Sequence, residues 1–348
     1  MNPVRIRFSK SRIDKAGEIL KSKKEINKQS LNESFEVLSN WRAYHVASLE
    51  ASAKILRARA KKISKHGNAI VAQRLKRTPS ILLKLKTHKS MRLSAMQDIG
   101  GLRVVFDTIA EVYELVELYR FSKTRQTLFS MNDYIERPKD DGYRSVHLVY
   151  KMDKSPSLFL EIQVRSHLQH IWATGVEVFG TLQSTSFKSG YGDKKWLELF
   201  ALLSSVFAIK EGTPVLKKHK SFSKAKLLKQ TKELIQKLRA IEQLNIYTEI
   251  YTAEELRVTK GRRGNYGLVL LDSIENKTTV TTFAANEIEA AEAAYLELEK
   301  KYYKNKDMNV VLVNAGDIKK LEISYPNYFM DTKTLVRNLS LIMVDGFL

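Results

Sequence analysis

The order of strand and helix patterns between residues 98 and 213 constrains the fold of this 348-residue chain more than any other feature. Three segments predict strands, and the last two of them alternate apolar and polar residues: IGGLRVVFD, YRSVHLVYKM and LFLEIQVRS. Three amphipathic segments predict helices: IAEVYELVELYRF, SHLQHIWATGVEVFG and KKWLELFALLSSVFAIKEG. This order predicts an α/β (α+β) domain, with a mixed sheet flanked by helices.

Flanking patterns extend this domain to residues 1–213. Residues 31–66 have apolar side chains at helical spacing. The segment NAIVAQRLKRTPSILLKLK predicts a helical pattern that breaks at Thr78-Pro79 and resumes from Ser80 as N-cap. Residues 214–245 predict a basic helical linker, and residues 246–348 predict a small α+β domain with a hairpin, a helix, a strand and a last short helix.

The basic residues are unevenly distributed. The formal net charge is +21, and the interval between Glu50 and Asp98 holds thirteen Lys or Arg and no acidic residue. A second basic run, KKHKSFSKAKLLK, follows Pro214. Uncompensated cations repel one another unless a polyanion binds, so phosphate is expected, as a nucleotide or as RNA. The residues expected to contact RNA phosphates are Lys61, Lys62, Lys65, Lys217 and Lys218.

Composition excludes several classes of protein. The chain has no cysteine, which excludes disulfides and thiolate zinc sites and fits a reducing cytosol. It has no run of eighteen apolar residues, so we expect no membrane span. Its basic N-terminus lacks an apolar signal core, so we expect a cytoplasmic protein.

Four polar patches interrupt the pattern of the first domain: RLKRTPSILLK, QDIGGLR, DYIERPKDDGYRSVHLVY and LEIQVR. Polar residues at alternate positions of LEIQVR, namely Glu161, Gln163 and Arg165, share one face of a strand, which suits the floor of a cleft. The cations suit a triphosphate. Asp98 and Glu161 suit Mg²⁺, which needs few protein acids when phosphate and water complete its shell, and one acid can act as a base.

Over about residues 70–180 these four motifs, in this order, resemble the synthetase domain of the RelA/SpoT alarmone family. That family transfers pyrophosphate from ATP to the 3′-hydroxyl of a nucleotide, on a nucleotidyltransferase-like fold. DIGG here replaces the family's DIAG, EIQVRS replaces EIQIRT, and the His-Asp motif of the family's hydrolase half does not occur.

The resemblance implies a role for each matching residue. Arg74, Lys76, Ser80, Lys84 and Arg103 are the expected ATP-binding residues, with Arg103 against the adenine. Asp98 is expected to hold magnesium, and Glu161 to be a second metal ligand or the base. Tyr143 is expected to stack on the acceptor base. The other acceptor-binding residues are expected to be Lys139, Arg144, His147, Gln163 and Arg165.

The charge, the second domain after a linker and the segment YPNYFMDT further resemble the fused, self-inhibited CapRel toxin–antitoxin family. There a pseudo-zinc-finger domain carries a Tyr-x-x-Tyr element that inhibits the synthetase, and Tyr325 and Tyr328 match its spacing. This implies a toxin that modifies the 3′ end of tRNA, with a phage protein as activator and no zinc. The alternatives are an alarmone synthetase that uses GDP or GTP, and an RNA-binding module without catalysis.

Overall fold

The structure, a computed structural model, describes residues 4–22, 25–122, 126–182, 194–241, 266–272, 275, 277–284, 286–302, 305, 308–314 and 333–348. The chain divides into two compact units. The first comprises Met1–Phe106, Ala110–Asn132 and His147–Val164, and the second comprises Asp107–Ile109, Asp133–Val146 and Arg165–Leu348. Each unit is described by itself.

Two N-terminal helices begin the first unit. Helix α1 spans Lys10–Lys21 and helix α2 spans Lys28–Ile63. Each begins after a polar N-cap, because the side chains of Ser9 and Asn27 accept hydrogen bonds from backbone amides of the first turn. The prediction of a long helix over residues 31–66 is confirmed, whereas α1 was not predicted.

Most residues of a five-stranded sheet belong to the first unit. Its strands are β1 Ile70–Leu75, β2 Gly100–Phe106, β3 Thr127–Asp133, β4 Val146–Lys151 and β5 Phe159–Ser166, in the order β1-β2-β5-β4-β3. Strands β1 and β2 are antiparallel, with Arg74 opposite Gly101 and Ala72 opposite Arg103. Helices α3 Thr78–Thr87 and α4 Ile109–Arg120 follow β1 and β2 in the chain. The predicted α/β class is confirmed.

Three local predictions were incomplete or wrong. Residues 70–75, predicted as helical, form β1, because pairing with β2 overrides a short apolar pattern that fits either structure. Helix α3 begins after Arg77 rather than at Ser80, since Pro79 is tolerated in a first turn, where its missing N–H has no role. Strand β3 was not predicted, because most of this edge strand is exposed and lacks an apolar face.

The second unit contains a helical core and a small sheet. The helices are α5 His167–Leu182, α6 Lys194–Glu211 and α7 Lys224–Lys237. The sheet consists of β6 Tyr266–Asp272, β7 Lys277–Phe283 and β8 Met308–Asn314, with β6 in the centre and antiparallel to both neighbours. Helix α8 spans Ile288–Tyr302, and helix α9 spans Lys333–Met343. The predicted hairpin, helix and strand are therefore present.

The last helix packs into the helical core of the second unit. Leu335, Leu339 and Ile342 of α9 lie in one apolar cluster with residues of α5, α6 and α7. A Cβ atom at Gly175 of α5 would lie 2.6 Å from Leu335 Cδ2, so glycine makes room for this leucine. The boundaries 1–213, 214–245 and 246–348 remain a prediction. In the described part of the chain, no helix is long and apolar enough to cross a membrane.

Candidate functional site

Two lysines hold the carboxylate of Asp98 in the first unit. Lys76 Nζ lies 3.0 Å from Asp98 Oδ2, and Lys84 Nζ lies 3.0 Å from Oδ1. Lys76 follows β1, Lys84 lies on α3 and Asp98 precedes β2, so the strand–helix–strand segment brings the three together. Burial by itself raises the pKa of Asp98, but the two ammonium groups outweigh it and hold the pKa below its usual value. Asp98 is therefore ionised at neutral pH.

A buried arginine that was not predicted fixes the backbone of this site. Arg42 of α2 donates from Nε to the carbonyl oxygen of Lys76 at 3.1 Å, and from Nη1 to Thr78 Oγ1 at 3.2 Å. The Lys76 amide in turn donates to the Ile99 carbonyl at 2.7 Å. Arg42 thus holds the β1–α3 junction, but its helical pattern in the sequence carries no signal of that role.

Glu161 of β5 is the second carboxylate that was predicted to bind a metal ion. His147 Nδ1 lies 2.8 Å from Glu161 Oε1, and Gln163 Nε2 donates to Oε2 at 2.7 Å. Burial raises the pKa of Glu161, but the contacts with His147 and Gln163 outweigh it, so the pKa is lowered. The charge of Asp98 acts on Glu161 in the same direction as burial, so the two carboxylates are close enough to interact.

The remaining predicted ATP residues lie on the same elements. Arg74 is exposed on β1, whereas Ser80 in the first turn of α3 and Arg103 on β2 are half-buried. Burial lowers the pKa of Lys76, the charge of Asp98 opposes this, and the positive charges of Arg74 and Lys84 lower the pKa further. Arg74 and Lys84 are thus close enough to Lys76 to repel it, and a polyanion would relieve this repulsion.

An aromatic and cationic cluster lies in the second unit. Arg165 Nη2 donates to Tyr143 Oη at 2.8 Å, and its guanidinium lies 5.2 Å from the centroid of the Tyr143 ring. Lys139 Nζ lies 5.0 Å from the Tyr143 centroid and 4.6 Å from that of Tyr134. Cations at such distances are attracted to an aromatic face. Tyr134 was not predicted, although it lies in the loop motif that carries Lys139 and Tyr143.

Arg144 lies inside the second unit. Its side chain is 3% exposed, Nε donates to Ser204 Oγ at 2.9 Å, and Nη1 donates to the Ile135 carbonyl at 3.3 Å. Burial lowers its pKa to about 10, opposed by the charge of Glu211. Its contact with the acceptor stays a prediction, and its burial suits a role in holding the loop.

The residues predicted to bind RNA are all exposed. Lys61, Lys62 and Lys65 lie at the end of α2 in the first unit, and Lys217 and Lys218 lie before α7 in the second. Tyr325 and Tyr328 fall outside the described residues.

The two residues predicted to hold a metal ion, Asp98 and Glu161, are carboxylates, which are ligands that Mg²⁺ prefers. Among the described residues, no group of three or more His, Asp or Glu side chains converges on one point. Asp98 and Glu161 offer two carboxylates, which is sufficient for Mg²⁺ when phosphate oxygens and water supply the other ligands.

Comparison with known proteins gives one family match. Residues 73–180 match the family model described as "Region found in RelA / SpoT proteins". The GTP pyrophosphokinase YjbM of Bacillus subtilis is 34% identical over 112 residues, which are 30% of this chain and 52% of that protein. The GTP pyrophosphokinase YwaC of the same organism is 30% identical over 93 residues, which are 25% of this chain and 43% of that protein. The chain thus spans about half the length of these curated relatives.

Among solved structures, the small alarmone synthetase 1 from Bacillus subtilis bound to its product pppGpp is similar, with 24% identity and a TM-score of 0.42. The similarity covers 50% of this chain and 94% of that chain. The match of the family model supports the resemblance to a RelA/SpoT region over residues 73–180.

Proposed function

We propose that this chain is an ATP-dependent pyrophosphokinase. The observation that carries the proposal is the group of Lys76, Lys84 and Asp98 beside Glu161, within the RelA/SpoT region of the sequence. It combines cations for a triphosphate with carboxylates for a metal ion, as phosphoryl transfer requires.

In the proposed reaction, the 3′-oxygen of the acceptor forms a bond to the β-phosphorus of ATP. The bond between that phosphorus and the bridging oxygen of AMP breaks, and AMP leaves. Lys76 and Lys84 neutralise Asp98 in this structure, and the more highly charged triphosphate competes with Asp98 for them.

Asp98 and Glu161 would hold Mg²⁺, which supplies positive charge to the transferring phosphates. Glu161 serves either as a second ligand or as the base that accepts the hydroxyl proton. Its lowered pKa keeps it ionised, which is the form needed in either role.

The direct test is transfer of label from γ-labelled ATP to GDP, GTP or bulk tRNA, each offered separately. Asp98→Asn and Glu161→Gln should each reduce transfer by about 100-fold or more. Asp153→Asn, on an exposed loop of the first unit, is the matched control and should retain full activity. Absence of label in every acceptor with the unmodified protein would refute the proposal.

Two acceptors are candidates. The names of the curated relatives favour a guanosine nucleotide, because two of them are GTP pyrophosphokinases. The exposed basic face at the end of α2 favours the 3′ end of tRNA, because a free nucleotide has too few phosphates to use it. We place tRNA first, because the sequence between Glu50 and Asp98 contains no acidic residue that would offset these positive charges.

Charge reversal separates the two acceptors. Replacing Lys61, Lys62 and Lys65 with Glu should weaken tRNA modification and leave GTP modification unchanged. Reversing Lys10 and Lys15 of α1, which are exposed beside acidic neighbours, is the control. Affinity for tRNA should also fall as the salt concentration rises. In a plot of log binding constant against log salt concentration, each phosphate contact should add about 0.9 or less to the negative slope. Equal effects of both sets of reversals would contradict a specific tRNA surface.

Self-inhibition by the C-terminal domain completes the proposal. Tyr325 and Tyr328 block the synthetase until a phage protein binds this domain, so that infection stops translation. A fused inhibitor has a high effective concentration, so even a weak contact suffices. Tyr325→Ala and Tyr328→Ala should each inhibit growth without phage and leave the melting temperature near that of the unmodified protein. A large loss of melting temperature without toxicity would instead indicate that the rings pack in a core.

A further inference from the structure

A buried serine of α6 joins the loop of residues 133–146 to the helical core of the second unit. Arg144 Nε donates to Ser204 Oγ at 2.9 Å, and the Ser204 hydroxyl donates to the Gly142 carbonyl at 2.7 Å. Ser204 is 1% exposed, so both of its hydrogen bonds are shielded from bulk water. The two residues on either side of Tyr143 are thus bound to one side chain.

The backbone of this loop lies very close to the core. Gly142 has φ +101°, a conformation that favours glycine. A Cβ atom there would lie 2.9 Å from Ser204 Cβ and 2.9 Å from Trp172 Cζ2. Only a residue without a side chain permits this approach, which makes the position of the loop on α6 specific.

The C-terminal end of α6 binds the residue that follows Arg165 in the chain. Glu211 accepts hydrogen bonds from Ser166 Oγ and from Gln169 Nε2, the latter at 3.2 Å. Burial raises the pKa of Glu211, while Ser166, Gln169 and the charge of Arg144 oppose that rise. Ser166 directly follows Arg165 in the chain, so α6 fixes the neighbours of both members of the Tyr143–Arg165 hydrogen bond.

We propose that Ser204 and Glu211 are positioning residues for the acceptor, which act by holding Arg144 and Ser166 and so set the Tyr143–Arg165 pair. The proposal rests on the proposed function, which assigns Tyr143 to the acceptor base. It makes Arg144 a link between loop and helix rather than an acceptor contact. Stacking of a base on Tyr143 depends on how the ring is held. Displacement of the loop should therefore lower kcat/KM for the acceptor and leave ATP binding unchanged.

The helix offers a matched control in the adjacent residue. Ser205 is also fully buried, but its hydroxyl bonds to His219 Nδ1 at 2.8 Å and accepts from the Leu216 amide at 3.3 Å. Ser204→Ala should lower kcat/KM for the acceptor by about tenfold and leave KM for ATP unchanged. Ser205→Ala removes the same atom and a similar number of hydrogen bonds, yet should leave both constants unchanged at a comparable loss of melting temperature.

A second readout does not depend on activity. Amide hydrogen exchange over residues 133–146 should become faster in Ser204→Ala and remain unchanged in Ser205→Ala, because the Ser204 hydroxyl bonds to the loop whereas the Ser205 hydroxyl bonds to His219 and Leu216. Glu211→Gln keeps an oxygen that accepts from Ser166 but loses the charge opposite Arg144. It should shift acceptor kcat/KM in the same direction by a smaller factor.

The outcomes separate this proposal from the proposed function. If the unmodified protein transfers no label, the proposed function fails, and exchange alone decides whether Ser204 holds the loop. Unchanged loop exchange in Ser204→Ala would overturn the positioning role. An equal loss of acceptor kcat/KM in Ser204→Ala and Ser205→Ala would also overturn it, since a general loss of core stability would then explain both.

Discussion

Deleting residues 333–348 should unfold the helical core of the second unit. The side chains of Leu335, Leu339, Ile342 and Phe347 are each at most 3% exposed. Burial of such a side chain contributes about 1.5–3 kcal/mol, so the four together contribute about 6–12 kcal/mol. A domain as a whole is stable by only about 5–15 kcal/mol, so the remaining chain should be unfolded or aggregated.

The experiment compares the full chain with a chain that ends at residue 332. Trp172 and Trp196 lie in the same apolar cluster as α9, so tryptophan fluorescence during urea unfolding reports on this core. Leu339→Ala should cost about 2–5 kcal/mol, whereas Val344→Ala, at a position 73% exposed, is the control and should cost almost nothing.

An unchanged unfolding transition in the shortened chain would refute the reasoning. The result also decides how self-inhibition can be tested. If the core depends on α9, a chain without residues 246–348 loses activity through unfolding. Point substitutions at Tyr325 and Tyr328 then remain the informative variants.

Three further outcomes are expected. Burial lowers the pKa of His45 to about 4 from 6.5, so its contribution to stability is complete above pH 6.5 and is lost as pH falls toward 4. Between pH 7 and pH 5 the free energy of unfolding, measured in urea, should therefore fall by about 2 kcal/mol less in His45→Phe than in the unmodified protein. Equal pH dependence of the two proteins would contradict this. Gly142→Ala should lower the free energy of unfolding by about 3 kcal/mol, because φ is +101° and the new Cβ would collide with Ser204. An unchanged melting temperature would show that the loop can shift to accept the methyl group. Tyr143→Ala should raise KM for the acceptor by about 10- to 100-fold and leave KM for ATP unchanged. Tyr143→Phe keeps the ring but loses the hydrogen bond from Arg165, so it should have a smaller effect. Steady-state kinetics with each substrate varied would instead show a raised KM for ATP if the loop binds ATP.

Local patterns in the sequence determined the class of fold and the residue types of the site. Apolar periodicity depends only on neighbours in the chain, which is why the long helix α2 and the strands β2, β4 and β5 were predicted. Alternation along β5 likewise indicated that Glu161, Gln163 and Arg165 share one face; Glu161 and Gln163 are partly exposed, whereas Arg165 is buried. The excess of Lys and Arg, with no acid between Glu50 and Asp98, follows from composition alone.

Tertiary structure decided which polar groups pair and which face inward. Residues 70–75 fit a helix or a strand equally well until β2 supplies hydrogen-bond partners 25 to 35 residues later in the chain. The pairing of Lys76 and Lys84 with Asp98 depends on a strand and a helix being folded together. Arg144 belongs to a motif rich in exposed polar residues, yet Ser204 of α6, sixty residues away, draws its guanidinium into the interior. Burial of a cation depends on partners distant in sequence, because only a fixed hydrogen-bond partner offsets the cost of removing it from water.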